Sequence, residues 1–151
     1  MSKEREQGMS VIVKTVTRLT VGMILLYGIY IVAHGHLSPG GGFAGGVIIA
    51  LSFIHLTLAF GREVAFKALS ESTSALLESV GALLFLCISL GGLLVGGVFF
   101  LNFFPKGQAF HLFSAGTIPL SNLAICLKVG AGLFTIFLAI VFLRIEPEGK
   151  S

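Results

Sequence analysis

The chain has 151 residues, 55% of them hydrophobic and 11% charged, with 20 glycines, no tryptophan and a mean hydropathy of +0.99. Soluble domains carry about 25% charged residues, so a soluble enzyme, a nucleotide-binding fold and a nucleic-acid surface are all poor matches to this composition. The pI near 9.1 reads instead as membrane topology.

Four apolar stretches follow one another, at about 11–33, 41–60, 76–101 and 120–143. Each approaches or exceeds the roughly 20 residues that a helix needs to cross a bilayer. The expectation is an all-α polytopic membrane protein, a single domain over 1–151 formed by a bundle of about four transmembrane helices. The polar start, Met1 to Ser10, precedes an apolar segment with no small-residue cleavage pattern, so that segment reads as a retained helix rather than a signal peptide. With four spans, Lys3, Arg5, Lys14, Arg18, Arg62, Lys67, Arg144 and Lys150 all fall on one side, whereas the other side has Lys106. By the positive-inside bias both termini are cytoplasmic. Arg18 lies inside the first stretch, where its long stem can snorkel back to the interface.

Small and polar residues form stripes at helical spacing. In the second span Gly41, Gly45, Ile48, Ser52, His55 and Ala59 share a face, and Gly41/Gly45 and Gly42/Gly46 are both GxxxG pairs. The third span aligns Glu78, Gly81, Phe85, Ser89, Gly92 and Gly96, and the fourth aligns Ser121, Ala124, Lys128, Gly132, Thr135 and Ala139. Lipid tails give helices no hydrophobic reason to associate, so such stripes mark close packing against protein, part of it belonging to other chains.

Besides Lys14 and Arg18 of the first span, three ionisable residues sit within the later spans. Lys128 is too deep to snorkel easily and costs at least ~2.5–3.5 kcal/mol without a partner, so it either fixes helix register through an ion pair or carbonyl contact, or stands beside an ion path. His55, near the cytoplasmic end of its span, can pack against backbone or relay a proton. Glu78 enters the third span as an interfacial carboxylate or as part of the same path. Cys87 and Cys126 belong to no CxxC pair or Cys/His cluster and are expected to be buried small hydrophobes, with no metal site implied. A haem between histidines is disfavoured because His55 is the one histidine inside a span; His34, His36 and His111 lie outside. A self-sufficient transporter is also disfavoured, since no inverted repeat or central carboxylate pair is present.

Between the first two spans runs HGHLSPGGGFAGG, His34 to Gly46. No Lys-Ser/Thr follows the glycines, so it is not a phosphate-binding loop. Pro39 starts or stops a helix, and the glycines permit a broken backbone whose carbonyls could serve a small cation; such backbone survives at membrane depth only against protein or a watery cavity.

This string resembles the MnhB or MrpB family, small membrane subunits of the multisubunit Na+/H+ antiporters. So does SAGTIPLSN, Ser114 to Asn122, leading into Gly130-Ala131-Gly132-Leu133. The resemblance covers essentially the whole chain. It implies a non-redox subunit in a prokaryotic cell membrane, with no cofactor of its own, beside large proton-pumping antiporter-like subunits and other small membrane subunits. Na+ would be the transported ion, in a free antiporter or in a respiratory complex such as a membrane-bound hydrogenase. Pro39, Gly40, Gly41, Gly42 and Phe43 match the family's first motif, and Pro119 and Asn122 its second, structural one. With His55, Glu78 and Lys128 added on physical grounds, the first set is expected to line or gate a cation path; Lys106 reads as an exposed loop lysine. The alternative is a purely structural subunit that packs its larger partners without lining a path.

Overall fold

The computed structural model describes residues 9–61, 64, 67, 69–108 and 114–143. Four long helices account for most of them: α1 (Val11–Ala33), α2 (Gly41–Phe60), α3 (Glu71–Gly96) and α4 (Ile118–Leu143). Each is long and apolar enough to cross a membrane.

The third helix lies five residues earlier than the 76–101 expected from hydropathy. Its start is set by Ser70, whose hydroxyl accepts from the Thr73 N–H at 3.2 Å, with Glu71 in the first turn where the helix dipole favours an acid. Its end is set by Gly97, left-handed at φ 70°, which donates its N–H to the Leu93 carbonyl at 2.8 Å. Polar capping chemistry, invisible to hydropathy, thus overrides the apolar window. The apolar residues left beyond Gly97 fold back along α3. Phe100, itself at a left-handed φ of 61°, donates to the Ser89 carbonyl at 3.4 Å, and its ring packs on Phe85 at 5.1 Å between centroids. A β-carbon at Gly92 would come within 2.5 Å of the Leu101 nitrogen, so only glycine lets this return segment lie so close.

The helices meet as a row, α1 against α2, α2 against α4 and α4 against α3; α1 touches α4 only slightly, and among the described residues α3 has no comparable seam with α1 or α2. The two GxxxG pairs of α2, one residue apart in register, explain how α2 serves two neighbours. Gly45 faces α1 at Gly28 and Val32, while Gly46 faces α4 at the Cys126 carbonyl and Val129. Towards the other end of α2, Phe53 packs on the fully buried Phe134, and Leu138, Ile54, Phe137 and Leu69 complete a small apolar core.

Most of the stripes read from sequence are occupied within the chain, although Lys128 and Ala139 of α4 are exposed. The α2 stripe is the α1 seam: Ile48 meets Gly28, His55 meets Thr20, and the Ala59 carbonyl accepts from the Met9 N–H at 3.1 Å. The lower α3 stripe and the α4 stripe face each other, and the upper α3 stripe receives the return segment. The chain's own aromatic return fills what α4 leaves open along the upper α3 stripe. On α1, by contrast, a β-carbon at Gly22 would meet nothing within 4 Å. Cys126 is buried as expected, but Cys87 is exposed, because α3 packs through one face only.

Candidate functional site

The α3–α4 seam is polar at both of its inner layers. Ser74, wholly buried, lies 3.0 Å from the Ala131 carbonyl and 2.8 Å from the Thr135 hydroxyl, which itself reaches that carbonyl at 3.0 Å. Two hydroxyl protons serve three contacts: one hydroxyl donates to the carbonyl and the other donates to the first hydroxyl. Two turns further along α3, Gly81 lets the backbones close in; a β-carbon there would stand 2.7 Å from the Lys128 nitrogen and 2.8 Å from the Ala124 carbonyl.

Beside this glycine, Lys128 and Glu78 form an ion pair, Nζ to Oε1 3.7 Å. Glu78 lies seven residues into α3, near the start of its apolar stretch, and Lys128 ten residues into α4, or ~10 Å and ~15 Å along their axes, so the lysine is well inside the apolar length of its helix. It satisfies the demand for a partner that an intramembrane lysine makes. Yet the side chains remain 53% and 41% exposed, on the outside of the helix row. The floor beneath is Gly132, where a β-carbon would find the Glu78 carboxylate as its nearest neighbour at 3.6 Å. A charged pair held at that depth on an outer face requires a polar or protein cover, because hydrocarbon solvates neither ion.

The second candidate set, at the helix break, comes together differently. The segment 34–40 is a compact turn in which the Leu37 N–H, the Ser38 N–H and the Ser38 hydroxyl all donate to the His34 carbonyl at 2.9–3.1 Å. Gly40, at φ 103°, then opens α2. The Asn122 side chain plugs the break: its Oδ1 accepts from the Gly42 N–H at 3.3 Å, which fixes the amide orientation. Its Nδ2 is buried against Gly35 without a hydrogen-bond partner among the described residues, and a β-carbon on Gly42 would overlap the Asn122 carbonyl oxygen. Asn122 and the glycines 80 residues before it thus form one packing unit. Pro39 and Phe43 lie apart from that contact and are exposed, Phe43 at 62%.

His55 is in neither set. Its Nε2 lies 3.2 Å from the Thr20 hydroxyl, which is also 3.0 Å from the Val16 carbonyl, so the imidazole is tied to α1. Arg18 extends to the end of α2, 5.4 Å above the Phe60 ring, in the manner of a snorkelling arginine. Pro119 stands in the first turn of α4, where its missing N–H costs nothing, and Lys106 is an exposed loop residue.

Two residues that periodicity and motif did not single out prove important. Ser74 extends the third-span stripe by one turn, at 74, 78, 81 and 85, a spacing that could have revealed it. Asn102, the lone polar residue in the run from Val98 to Phe104, donates to the Ala115 carbonyl at 2.9 Å and accepts from the Thr117 N–H at 2.9 Å, stapling the return segment to the start of α4.

A family model described as a domain related to the MnhB subunit of Na+/H+ antiporters matches residues 12–135. An uncharacterized protein of Methanocaldococcus jannaschii is 39% identical over 129 residues, covering 78% of this chain and 46% of that protein. The Staphylococcus aureus protein named as putative antiporter subunit mnhB2 is 44% identical over 59 residues, 39% of this chain and 42% of its own. The chain thus spans less than half the length of these relatives. Among solved structures, a chain of the membrane-bound sulfane sulfur reductase, an archaeal respiratory membrane complex, superposes with a TM-score of 0.70 at 33% identity, covering 90% of this chain and 61% of that one. With the matched region running from the second residue of α1 deep into α4, and the glycine break and its asparagine plug inside it, this four-helix membrane protein belongs to the MnhB family of antiporter subunits.

Proposed function

We propose that this chain is a non-redox subunit of a multisubunit Na+/H+ antiport module in a prokaryotic cell membrane, its cytoplasmic side marked by the basic termini. Na+ passes along its surface, at an interface with neighbouring subunits, while protons move in larger antiporter-like partners. The module belongs to a free antiporter or to an ion-pumping respiratory complex, the setting of the archaeal structural neighbour. The chain itself needs no bound cofactor for this role.

The carrying observation is the Glu78–Lys128 pair, charged, membrane-embedded and half exposed on the outer face of α3 and α4. A carboxylate held by a lysine can exchange that partner for a passing cation without ever being left alone in hydrocarbon. The test is Na+-dependent antiport in inverted vesicles, normalised to assembled complex. Glu78→Gln and Lys128→Ala are expected to lower transport while the complex remains intact, and unchanged transport per complex would defeat the proposal.

A second reading, a packing subunit without an ion path, is favoured by the glycine break. There Gly35, Gly41 and Gly42 are taken up by close contact with Asn122. Under it, substitutions at Gly42 and Asn122 reduce assembly and leave transport per complex constant.

A further inference from the structure

Because α1 leans on α2 and barely touches α4, a cleft opens between α1 and α4 in front of α2. Ile29, Val32 and Ala33 of α1, Ile49 of α2, and Pro119, Leu123 and Cys126 of α4 enclose about 320 Å³ there, with no ionisable side chain but the Cys126 thiol. A second hollow of about 320 Å³ continues it past Pro119 and Leu123 towards Phe104 and Gly116. From Pro119 to Cys126 the track follows α4 for ~10 Å. It lies within the apolar length of the helices and reaches the loop level at its upper end.

The rim of that end has a distinctive charge. In the connecting segments 34–40 and 97–117, Lys106 is the one residue among Asp, Glu, Lys and Arg. It is exposed and two residues from Phe104, a reach of at most ~7 Å along the backbone. The Gly107 N–H donates to the Ser114 carbonyl at 3.2 Å, and Asn102 ties its own segment to Ala115 and Thr117, so both strands of this connection are held at the top of α4. A cation with no carboxylate in its own connecting segments thus follows two residues after a wall residue of the upper hollow.

We infer that this cleft seats one acyl chain of an anionic phospholipid, with Lys106 receiving the phosphate. Apolar walls alone would accept any hydrocarbon; the single uncompensated lysine at the rim supplies the headgroup preference. The lipid would fill the wedge between α1 and α4, the two neighbours of α2 in the helix row.

The experiment uses the chain in its membrane assembly, reconstituted in nanodiscs of phosphatidylcholine with a minor fraction of phosphatidylglycerol carrying a photoactivatable acyl chain. Label should concentrate on peptides containing Ala33 and Leu123 relative to that containing Ile140, which is exposed on α4 outside the cleft. Lys106→Ala, a surface change that leaves the fold alone, should reduce the advantage of the phosphatidylglycerol probe over a matched phosphatidylcholine probe by roughly fivefold, the worth of one lysine beside an anionic lipid. Leu123→Trp should remove cleft labelling by filling the slot, and Ala33→Phe does the same from the α1 side if the first variant fails to assemble. Equal labelling of Leu123 and Ile140 peptides, indifference to Lys106, or crosslinks from position 123 to a neighbouring subunit in place of lipid would each overturn the inference.

Discussion

Gly42→Ala tests the closest approach to backbone atoms made by any described glycine. The added methyl would overlap the Asn122 carbonyl oxygen and stand 2.7 Å from that residue's Cα, both backbone atoms that cannot rotate away. Relief requires α4 to move off α2, which also lengthens the 3.3 Å bond from the Gly42 N–H to Asn122 Oδ1. Overpacking of this kind costs about 1–3 kcal/mol, and the loosened bond adds about 0.5–1.5 kcal/mol. Against this stands a gain of about 1 kcal/mol from replacing glycine by alanine within a helix. The net loss is about 0.5–3.5 kcal/mol. Gly22→Ala is the matched control, since it takes the same propensity gain with no neighbour within 4 Å, and it should be neutral or stabilising. The measurement is unfolding of the full-length chain in mixed micelles, following helicity by circular dichroism as the denaturing detergent fraction rises. If the two variants shift the midpoint in the same direction by similar amounts, the close approach of α2 and α4 at Gly42 is wrong.

Three further outcomes follow from the same seams. In a double-mutant cycle by the same micelle unfolding, Glu78→Leu should destabilise the chain by leaving Lys128 unpaired, on the order of 2.5–3.5 kcal/mol, and the double variant Glu78→Leu/Lys128→Leu should recover most of it; simple additivity would refute the pairing. Ser74→Ala should cost below about 1 kcal/mol in that assay, because the Thr135 hydroxyl lies 3.0 Å from the Ala131 carbonyl and can serve it alone, whereas loss of several kcal/mol would show that Thr135 does not replace the serine. Asn102→Ala should expose the connection near Gly107 to limited proteolysis while Asn102→Asp, which keeps the acceptor for the Thr117 N–H, should be cut more slowly; equal rates would show that this acceptor does not staple the segment.

Much of this protein was legible in its residues, for a physical reason. A helix in lipid must be long and apolar, so four spans stand out from composition alone, and three of their four starts fall within two residues of expectation. Helix starts and stops chosen by polar caps do not stand out in the same way: Ser70 and Gly97 moved α3 by five residues, and with it turned the apolar residues 98–101 from helix into a returning segment. The need of Lys128 for a partner was likewise a matter of solvation energy and could be stated from its depth. Which group answers it could not, since Glu78 lies 50 residues away and meets it only because Gly81 lets α3 close on α4.

Periodicity identified the glycine and serine stripes but assigned no neighbour to them, because a small-residue face fits any helix. Tertiary structure decided that Gly45 takes α1 and Gly46 takes α4, that the upper α3 stripe takes the chain's own aromatic segment, and that Asn122 closes the glycine break. These pairings depend on the crossing of helices far apart in sequence, where a rotation of one residue, about 100°, exchanges one partner for another. The sequence by itself determined that the chain crosses the membrane four times and carries charges that demand company there. Only the packing decided that one pair keeps its company on the outer face of the helix row, because α3 and α4 meet through their small residues beneath it.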